Sequence, residues 1–321
     1  MGLYERWAAA AAPERSAVVI GRETLRYGEL HERVRRGCGW LRAHGLGPGD
    51  VLALAMPKEP AFLELVLACL RAGVVALPLN DRYTARELTW PLLDARVKVA
   101  VLPDALELDT GARIVRAGEV RRALDAAPAF DPPVPPDDAT ALLLYTSGTT
   151  GRPKGVPTTH AQVGATVDAL RVAWGWRPDD VLLHALPHHH VHGLVVGAFG
   201  ALAAGAGQIW LERFDAAEVL DHLARGPATV FMGVPTFHAR LAREPARDLR
   251  RVRLVTSGSA GLPASVHQAF AERFGVQVVE RYGMTEVGIV VSNPLTDPRP
   301  GWIGRPLPGV EVRVVDGGRD V

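Results

Sequence analysis

The segment "YTSGTTGRPKG" (residues 145–155) combines glycines, hydroxyl side chains and a single lysine. Glycine lets a backbone approach an anion closely, and successive amides in such a loop form a concave anion site. Lys154 adds a mobile positive charge, and the hydroxyls come from Thr146, Ser147, Thr149 and Thr150. Because the apolar run "ALLL" precedes the segment, we predict a strand followed by a loop that binds a polyphosphate.

The spacing within this loop differs from that of a Walker A motif. Gly148 and Gly151 are three positions apart, and Lys154 precedes Gly155 rather than following a glycine. The sequence therefore indicates a phosphate loop of another kind. The alternative is a flexible surface linker, because glycine and threonine are also common in loops that bind nothing.

A second candidate is the hexamer "RYGMTE" (residues 281–286). Tyr282 offers an aromatic face on which a purine can stack. Thr285 offers a hydroxyl to a phosphate, and Glu286 offers a hard oxygen ligand suited to Mg²⁺. The alternative is that Tyr282 is a core aromatic residue and Glu286 a solvated charge.

The stretch "HHHVHG" places four histidines, at positions 188, 189, 190 and 192, within five residues. Such density favours a metal site. Consecutive residues of an extended segment point to opposite sides, however, and no cysteine lies nearby. We therefore expect no structural zinc here.

Together these motifs resemble the adenylate-forming superfamily, which includes acyl-CoA synthetases, nonribosomal peptide adenylation domains and luciferases. The resemblance covers essentially all 321 residues. It rests on stretches that occur in the family's order: "LRYGELHERV", "LRAGVVALPLN", "LLLYTSGTTGRPKGV", "LPHHHVHGL", "TSGSAGLP", "ERYGMTEVG" and "GWIGRPLPGVEVRVVD". The chain departs from the family at His189, where an aromatic residue is usual.

Alternating helical and strand-like patterns predict an α/β fold with largely parallel sheets. The resemblance implies two stacked, mostly parallel sheets with flanking helices, plus the start of a small β subdomain. We expect a first α/β subdomain at 1–138, a second at 139–300 carrying the nucleotide site, and the small subdomain from 301 to 321. The family's mobile C-terminal domain and its catalytic lysine are expected beyond residue 321, so we predict that this chain alone binds nucleotide weakly and completes little thioester formation.

The resemblance also implies a reaction and its participants: ATP, Mg²⁺ and coenzyme A. Lys154, the loop amides and hydroxyls, and Mg²⁺ held by Glu286 would carry the triphosphate charge. Thr285 and His190 would orient the α-phosphate and the attacking carboxylate. The residues implied in nucleotide binding are Thr146, Ser147, Gly148, Thr149, Thr150, Gly151, Lys154, Ser259, Ala260, Gly261, Tyr282, Gly283, Met284 and Thr285.

Two arginines indicate the acid. Arg281 precedes Tyr282, and Arg240 ends "GVPTFHAR" on a predicted helix. The chain resembles malonyl-CoA synthetases, which use arginines at these positions to hold the far carboxylate of malonate. We therefore predict that His190, Arg240 and Arg281 bind malonate or a small 2-alkyl malonate such as methylmalonate. The alternative is that Arg240 extends into solvent and Arg281 pairs with a structural acid.

Three other functions remain open: a short-chain or aryl acyl-CoA synthetase, a carrier-protein-dependent adenylation domain, and a non-catalytic nucleotide-binding module. The net charge and the cysteines of the chain bear on its partners and its compartment. A formal net charge of +1 gives no reason to expect nucleic acid or an anionic membrane. Cys38 and Cys69 sit in apolar helical patterns, so we expect buried thiols and a cytoplasmic protein.

Overall fold

The computed structural model describes residues 1–146 and 151–316, together with the backbone of residues 319–320. The predicted phosphate-loop residues Ser147, Gly148, Thr149 and Thr150 lie outside the described residues. The helices are α1 (Leu3–Ala8), α2 (Tyr27–Ala43), α3 (Pro60–Ala72), α4 (Ala85–Asp94), α5 (Ala117–Ala126), α6 (His160–Ala173), a π-helix (His192–Phe199), α7 (Gly200–Ala203), α8 (Ala216–Arg225), α9 (Pro235–Leu241) and α10 (Ala264–Phe274).

The strands form two large sheets and one short hairpin. They are β1 (Ser16–Ile20), β2 (Glu23–Arg26), β3 (Val51–Leu54), β4 (Val75–Pro78), β5 (Val99–Leu102), β6 (Arg113–Arg116), β7 (Thr140–Thr146), β8 (Lys154–Thr159), β9 (Val181–His184), β10 (Gly207–Trp210), β11 (Val230–Gly233), β12 (Leu254–Ser257), β13 (Val278–Met284), β14 (Gly288–Ser292), β15 (Arg305–Pro306), β16 (Val315–Asp316) and β17 (Arg319–Asp320).

Both large sheets are mostly parallel. The six-stranded sheet has the order β6-β5-β3-β4-β7-β8, and only β7 and β8 are antiparallel. The nine-stranded sheet has the order β15-β14-β13-β12-β11-β9-β10-β1-β2, with antiparallel pairs at its two edges. Continuous apolar runs such as "VALP" in β4 explain the parallel pairing, because such strands are buried on both faces. The predicted fold class is confirmed.

The main hydrophobic core joins the two sheets. It contains Leu52 and Val99 of the six-stranded sheet, Trp210 of the nine-stranded sheet, and most of α3. Almost every residue of α3 is buried, including Glu64, whose carboxylate accepts hydrogen bonds from Arg121. The two sheets therefore behave as one packed body, and their neighbouring strand ends can build a shared site.

The chain crosses between the sheets more than once. The nine-stranded sheet takes β1 and β2 from the first residues of the chain, and the six-stranded sheet takes β7 and β8 from beyond residue 138. The division at 138 and 300 stays a prediction. The antiparallel hairpin of β16 and β17 forms a separate two-stranded sheet near the end of the chain.

The cysteines and the helix lengths complete the description of the fold. Cys38 and Cys69 are buried free thiols, as predicted. None of the helices in the described part of the chain is long and apolar enough to cross a membrane.

Candidate functional site

The predicted phosphate loop joins two antiparallel strands. Thr146, the last residue of β7, lies opposite Lys154, the first residue of β8. The loop is therefore the tip of a hairpin and does not lead into a helix as a Walker A loop does. Gly151 has φ = 94°, a conformation that favours glycine. The Lys154 side chain is exposed and has no hydrogen-bond or ion-pair partner among the described residues, so it is free to meet an anion.

The signature "RYGMTE" lies at the end of β13 and in the turn that follows. A register shift between Tyr282 and Gly283 kinks the pairing with β14. A Cβ atom at Gly283 would lie 2.2 Å from the carbonyl oxygen of Gly288, so only glycine fits there. On either side of the kink, Tyr282 is 48% exposed and Met284 is 44% exposed. An exposed aromatic ring next to an apolar side chain provides a surface on which a purine can stack.

The turn after β13 meets the strands that carry the phosphate loop. Thr285 and Glu286 line a small cavity of about 60 Å³ with Leu144 of β7 and Thr158 of β8. The tertiary structure thus brings two sequence motifs separated by over a hundred residues against one another. This convergence is the geometry that the predicted nucleotide site requires.

The metal role of Glu286 stays a prediction. Its side chain is exposed and makes no ion pair or hydrogen bond with any described residue. A free carboxylate beside a phosphate loop can share a Mg²⁺ ion with phosphate oxygens, because Mg²⁺ is usually held by one or two carboxylates plus substrate phosphates.

The loop of Ser259, Ala260 and Gly261 follows β12, and all three residues are exposed. Ser259 has φ = 69°, a left-handed conformation that costs a non-glycine residue about 1 kcal/mol or more. Its hydroxyl lies 3.3 Å from Nδ1 of His192. Strain of this kind persists where neighbouring contacts fix the backbone, and here the contact joins the loop to the histidine stretch.

Arg281 is buried and unpaired. The residue is only 5% exposed, and neither Nε nor Nη2 has a hydrogen-bond partner among the described residues. Burial lowers the pKa of Arg281 to about 10, so the guanidinium still carries its charge at pH 7. A buried charge with two free donors is costly unless a ligand completes it.

Gly258 makes room for this guanidinium. A Cβ atom at position 258 would lie 2.3 Å from Cζ of Arg281 and 2.4 Å from its Nε. Real Cβ atoms do not approach other heavy atoms so closely. The absent side chain at Gly258 thus lets Arg281 lie against the end of β12.

His192 completes the buried wall of the site. Its Nε2 has no partner among the described residues, and burial followed by the charge of Arg281 holds its pKa well below the usual 6.5. The ring is therefore neutral at pH 7. When the Ser259 hydroxyl donates to Nδ1, Nε2 carries the proton and is free to donate. The hydroxyls of Thr256 and Ser257 are also buried and have no hydrogen-bond partner among the residues that the structure describes.

Arg240 and His190 occupy more open positions. Arg240 is exposed on α9 and lines a surface groove with Phe214, Asp215 and Arg243. No contact joins it to Arg281 within the described ranges. His190 is exposed at the entrance to the π-helix, with its ring 4.3 Å from that of His189.

The four histidines do not converge on one point. Nε2 of His188 donates to the carbonyl oxygen of Met56 at 3.1 Å, whereas Nδ1 of His192 faces Ser259. Across residues 1–146 and 151–316, no group of three histidine, cysteine or acidic side chains could hold a metal ion. The expectation of no structural zinc stays a prediction.

A larger cavity of about 910 Å³ opens at the carboxyl ends of strands from both sheets. This volume lies in the range of pockets that hold organic ligands. Residues from β3, β4, β9 and β10 or their following loops line it, among them Lys58, Asn80, His188, His189 and Trp210, and α9 adds Phe237.

Sequence reasoning missed three contributors to the site. His192 was considered only as a metal ligand, and Gly258 and Ser257 were not singled out. The spacing "HVH" places His192 two residues after His190, and this is the signal that could have identified it. Nothing in the sequence alone indicated that Gly258 leaves space for Arg281, because that contact joins two different strands.

The fold and the converging motifs are those of a nucleotide-binding α/β enzyme. A family model described as AMP-binding enzyme matches residues 5–321. The chain therefore belongs to the AMP-binding enzyme family.

Relatives in this family share the fold across the whole chain. Human mitochondrial malonate–CoA ligase ACSF3 is 35% identical over 331 residues, which is 92% of this chain and 57% of the relative. Feruloyl-CoA synthase of an Amycolatopsis species is 37% identical over 87% of this chain and 58% of its own length. The crystal structure of ATP-bound MatB from Rhodopseudomonas palustris has a TM-score of 0.93 at 37% identity, covering 100% of this chain and 68% of that one. This chain thus spans less than two thirds of the length of both curated relatives.

Proposed function

We propose that this chain binds ATP and a small dicarboxylic acid for an AMP-forming acid–thiol ligase, with malonate or methylmalonate as the acid and coenzyme A as the acceptor. The observation that carries the proposal is the buried, charged and unpaired guanidinium of Arg281 beside His192. Family membership supports the reaction class, and the malonate–CoA ligase relative supports the acid.

The nucleotide would occupy the surface between the signature turn and the hairpin. Tyr282 would stack on the adenine, whose edge would face the backbone of Ser259 to Gly261. Lys154, Thr285 and the loop between β7 and β8 would contact the phosphates. Glu286 would hold Mg²⁺, which neutralises phosphate charge when it is bound.

In the first half-reaction, a carboxylate oxygen of the acid attacks the α-phosphorus of ATP, and the bond to pyrophosphate breaks. In the second, a thiolate attacks the acyl carbon, and AMP leaves with the bonding electron pair. The protein contributes alignment and charge neutralisation to the first step rather than a nucleophile of its own. His190 and Thr285 would orient the carboxylate and the α-phosphate.

Selection of the acid follows from charge. A diacid has a second carboxylate that can accept hydrogen bonds from Nε and Nη2 of Arg281, and the Nε2 proton of His192 can donate as well. A monocarboxylic acid would leave the buried guanidinium unpaired, which opposes its binding. Arg240 remains a proposed second contact, reached from α9.

The coenzyme A thiol needs a separate route to the acyl group. The 910 Å³ cavity, bounded by loops from both sheets and by His188 and His189, is our candidate for that route.

Acid-dependent exchange of labelled pyrophosphate into ATP, measured with this chain joined to a C-terminal domain of the family, tests the proposal because it reports the first half-reaction alone. We expect exchange with malonate and methylmalonate, and much less with acetate, benzoate or ferulate at equal concentration. Exchange with ferulate or benzoate but not with malonate would replace the diacid assignment with an aryl acid. Nucleotide binding without exchange for any acid would indicate a non-catalytic nucleotide-binding module.

A further inference from the structure

Lys58 is a buried lysine in the loop that follows β3. It is 9% exposed and forms no ion pair with any carboxylate in the part of the chain that the structure describes. Its ammonium donates to the carbonyl oxygens of His184 at 2.8 Å and Leu186 at 2.9 Å, and lies 3.2 Å from Nδ1 of His184. These three acceptors match the three N–H groups of a protonated lysine.

Burying the ammonium of Lys58 costs free energy. Burial lowers the pKa of its ammonium to about 7, and the centroid of the Trp210 ring is 5.6 Å from Nζ. An apolar side chain of the same length would fill the space without this cost. What the charge supplies is hydrogen bonding to backbone carbonyls at the carboxyl end of β9, which lies immediately before the histidine stretch.

Two further hydrogen bonds fix the same segment. Nε2 of His184 donates to the carbonyl oxygen of Gly193 at 2.9 Å, so Nδ1 is unprotonated and accepts from Lys58. Nε2 of His188 donates to the carbonyl oxygen of Met56, two residues before Lys58. Residues 184–193 are thus tied at both ends and in the middle.

These bonds cross between the sheets. Met56 and Lys58 follow β3 of the six-stranded sheet, whereas His184 ends β9 of the nine-stranded sheet. The segment they fix carries His192, whose Nδ1 meets the Ser259 hydroxyl, and His190, which we propose to orient the acid.

We propose that Lys58 is a positioning residue: its ammonium holds the backbone of residues 184–193 and thereby places His190 and His192 against the acid. Lys58 is not proposed to contact ATP or the acid, although it also lines the cavity that we propose for coenzyme A. The expected effect on acid binding rests on the proposed function, whereas the expected effect on the backbone of residues 184–193 does not.

The substitution Lys58→Met keeps the side-chain length and removes the donors. Loss of hydrogen bonds from a charged group corresponds to about 10- to 100-fold in an equilibrium. We expect amide hydrogen exchange of residues 187–194 to accelerate by that factor while the rest of the chain is unchanged. We also expect the KM for the acid to rise by about tenfold or more, with the KM for ATP changed less than about threefold.

Lys98→Met is the matched control. Lys98 is an exposed lysine that pairs with Asp50 at the other end of the same sheet, so its loss should alter neither readout. Lys58→Gln retains an amide donor and is expected to give an intermediate effect on exchange.

Unchanged exchange across 187–194 in Lys58→Met would overturn the proposal. A uniform acceleration over the whole chain would overturn it too, as would failure of both Lys58 variants to fold, because Lys58 would then stabilise the fold generally. If the wild-type protein activates no diacid, the proposed function fails, but the exchange comparison still decides the role of Lys58.

Discussion

At the scale of single residues, Arg281 is the most informative side chain. A guanidinium with its charge intact, two free donors and almost no contact with solvent is unfavourable in the unliganded protein. The chain retains this unfavourable charge beside a neutral histidine whose free nitrogen also lacks a partner. One ligand that carries negatively charged oxygens would accept hydrogen bonds from both the guanidinium and the histidine nitrogen.

Replacing the Arg281 guanidinium with an uncharged side chain should therefore stabilise the protein without ligand and abolish its stabilisation by malonate. For Arg281→Met we expect the free energy of unfolding to rise by about 1–3 kcal/mol without ligand, because a buried unpaired charge is removed. Malonate should no longer raise the thermal unfolding temperature. Arg243→Met, in the surface groove beside Arg240, should change stability by less than about 0.5 kcal/mol and keep the malonate response. A less stable Arg281→Met protein that still responds to malonate would contradict this account.

Arg240 and Arg281 should contribute unequally. Arg240 is exposed on α9, where water already solvates its charge, so an ion pair there is weak. We expect Arg240→Met to raise the KM for malonate by about tenfold or less, compared with about 100-fold or more for Arg281→Met. Steady-state kinetics at saturating ATP measure both. A larger effect at Arg240 would mean that α9 moves toward the acid when it binds.

At the scale of elements, the site depends on how strand ends meet. The end of β12 supplies Gly258, whose missing side chain admits the guanidinium carried by β13. The kink in β13 after Tyr282 then turns Thr285 and Glu286 toward β7 and β8. The ends of these two parallel strands thus direct Arg281 inward, where we propose that the acid binds, and Thr285 and Glu286 outward, where we propose that the nucleotide binds.

Adding one methyl group at this contact should weaken the binding of malonate and leave that of ATP nearly unchanged. In Gly258→Ala the new Cβ would lie 2.3 Å from Cζ of Arg281, so the guanidinium must move in a packed environment. We expect the KM for malonate to rise by about tenfold or more, stability to fall by about 1–3 kcal/mol, and ATP affinity to change little. Gly47→Ala is the control, since the nearest atom to its Cβ would be 3.9 Å away. Equal losses of ATP and malonate affinity would show that the effect is not confined to Arg281.

At the scale of the whole molecule, several histidines are buried and neutral: His184 and His188 lie where the two sheets meet, and His238 packs between β12 and α10. Burial lowers the pKa of His188 and of His238 to about 4, and burial together with Lys58 holds that of His184 well below 6.5. In the unfolded chain these groups bind protons near pH 6.5, whereas the folded protein does not until about pH 4. Between these pH values the unfolded state binds more protons, so stability rises with pH.

The protein should therefore lose stability as the pH falls from 7 to 5. Each of His188 and His238 should contribute a loss of about 2 kcal/mol at pH 5. Guanidinium chloride unfolding at several pH values measures the slope. His238→Gln, which cannot take up the proton, should show a shallower dependence. A flat profile for the wild-type protein would mean that these rings are already charged in the folded state.

Much of this protein is determined by its sequence. Apolar runs such as "VLAL" and "VALP" fix the parallel strands, since local hydrophobic patterns decide which segments are buried on both faces. The motifs around Lys154 and Tyr282 indicate a nucleotide site because glycines, hydroxyls and an aromatic ring in that order carry their chemistry locally.

Only the tertiary structure decided which of these residues meet. That Arg281 is buried without a partner among the described residues, that Gly258 gives it room and that Lys58 reaches across to His184 all depend on how different strands and sheets meet. The structure also leaves Arg240 exposed on α9 while Arg281 is buried, a difference that the sequence did not indicate. The physical reason is that the exposure and pairing of a charged side chain depend on atoms distant along the chain, whereas a strand or a turn is specified by its own neighbours.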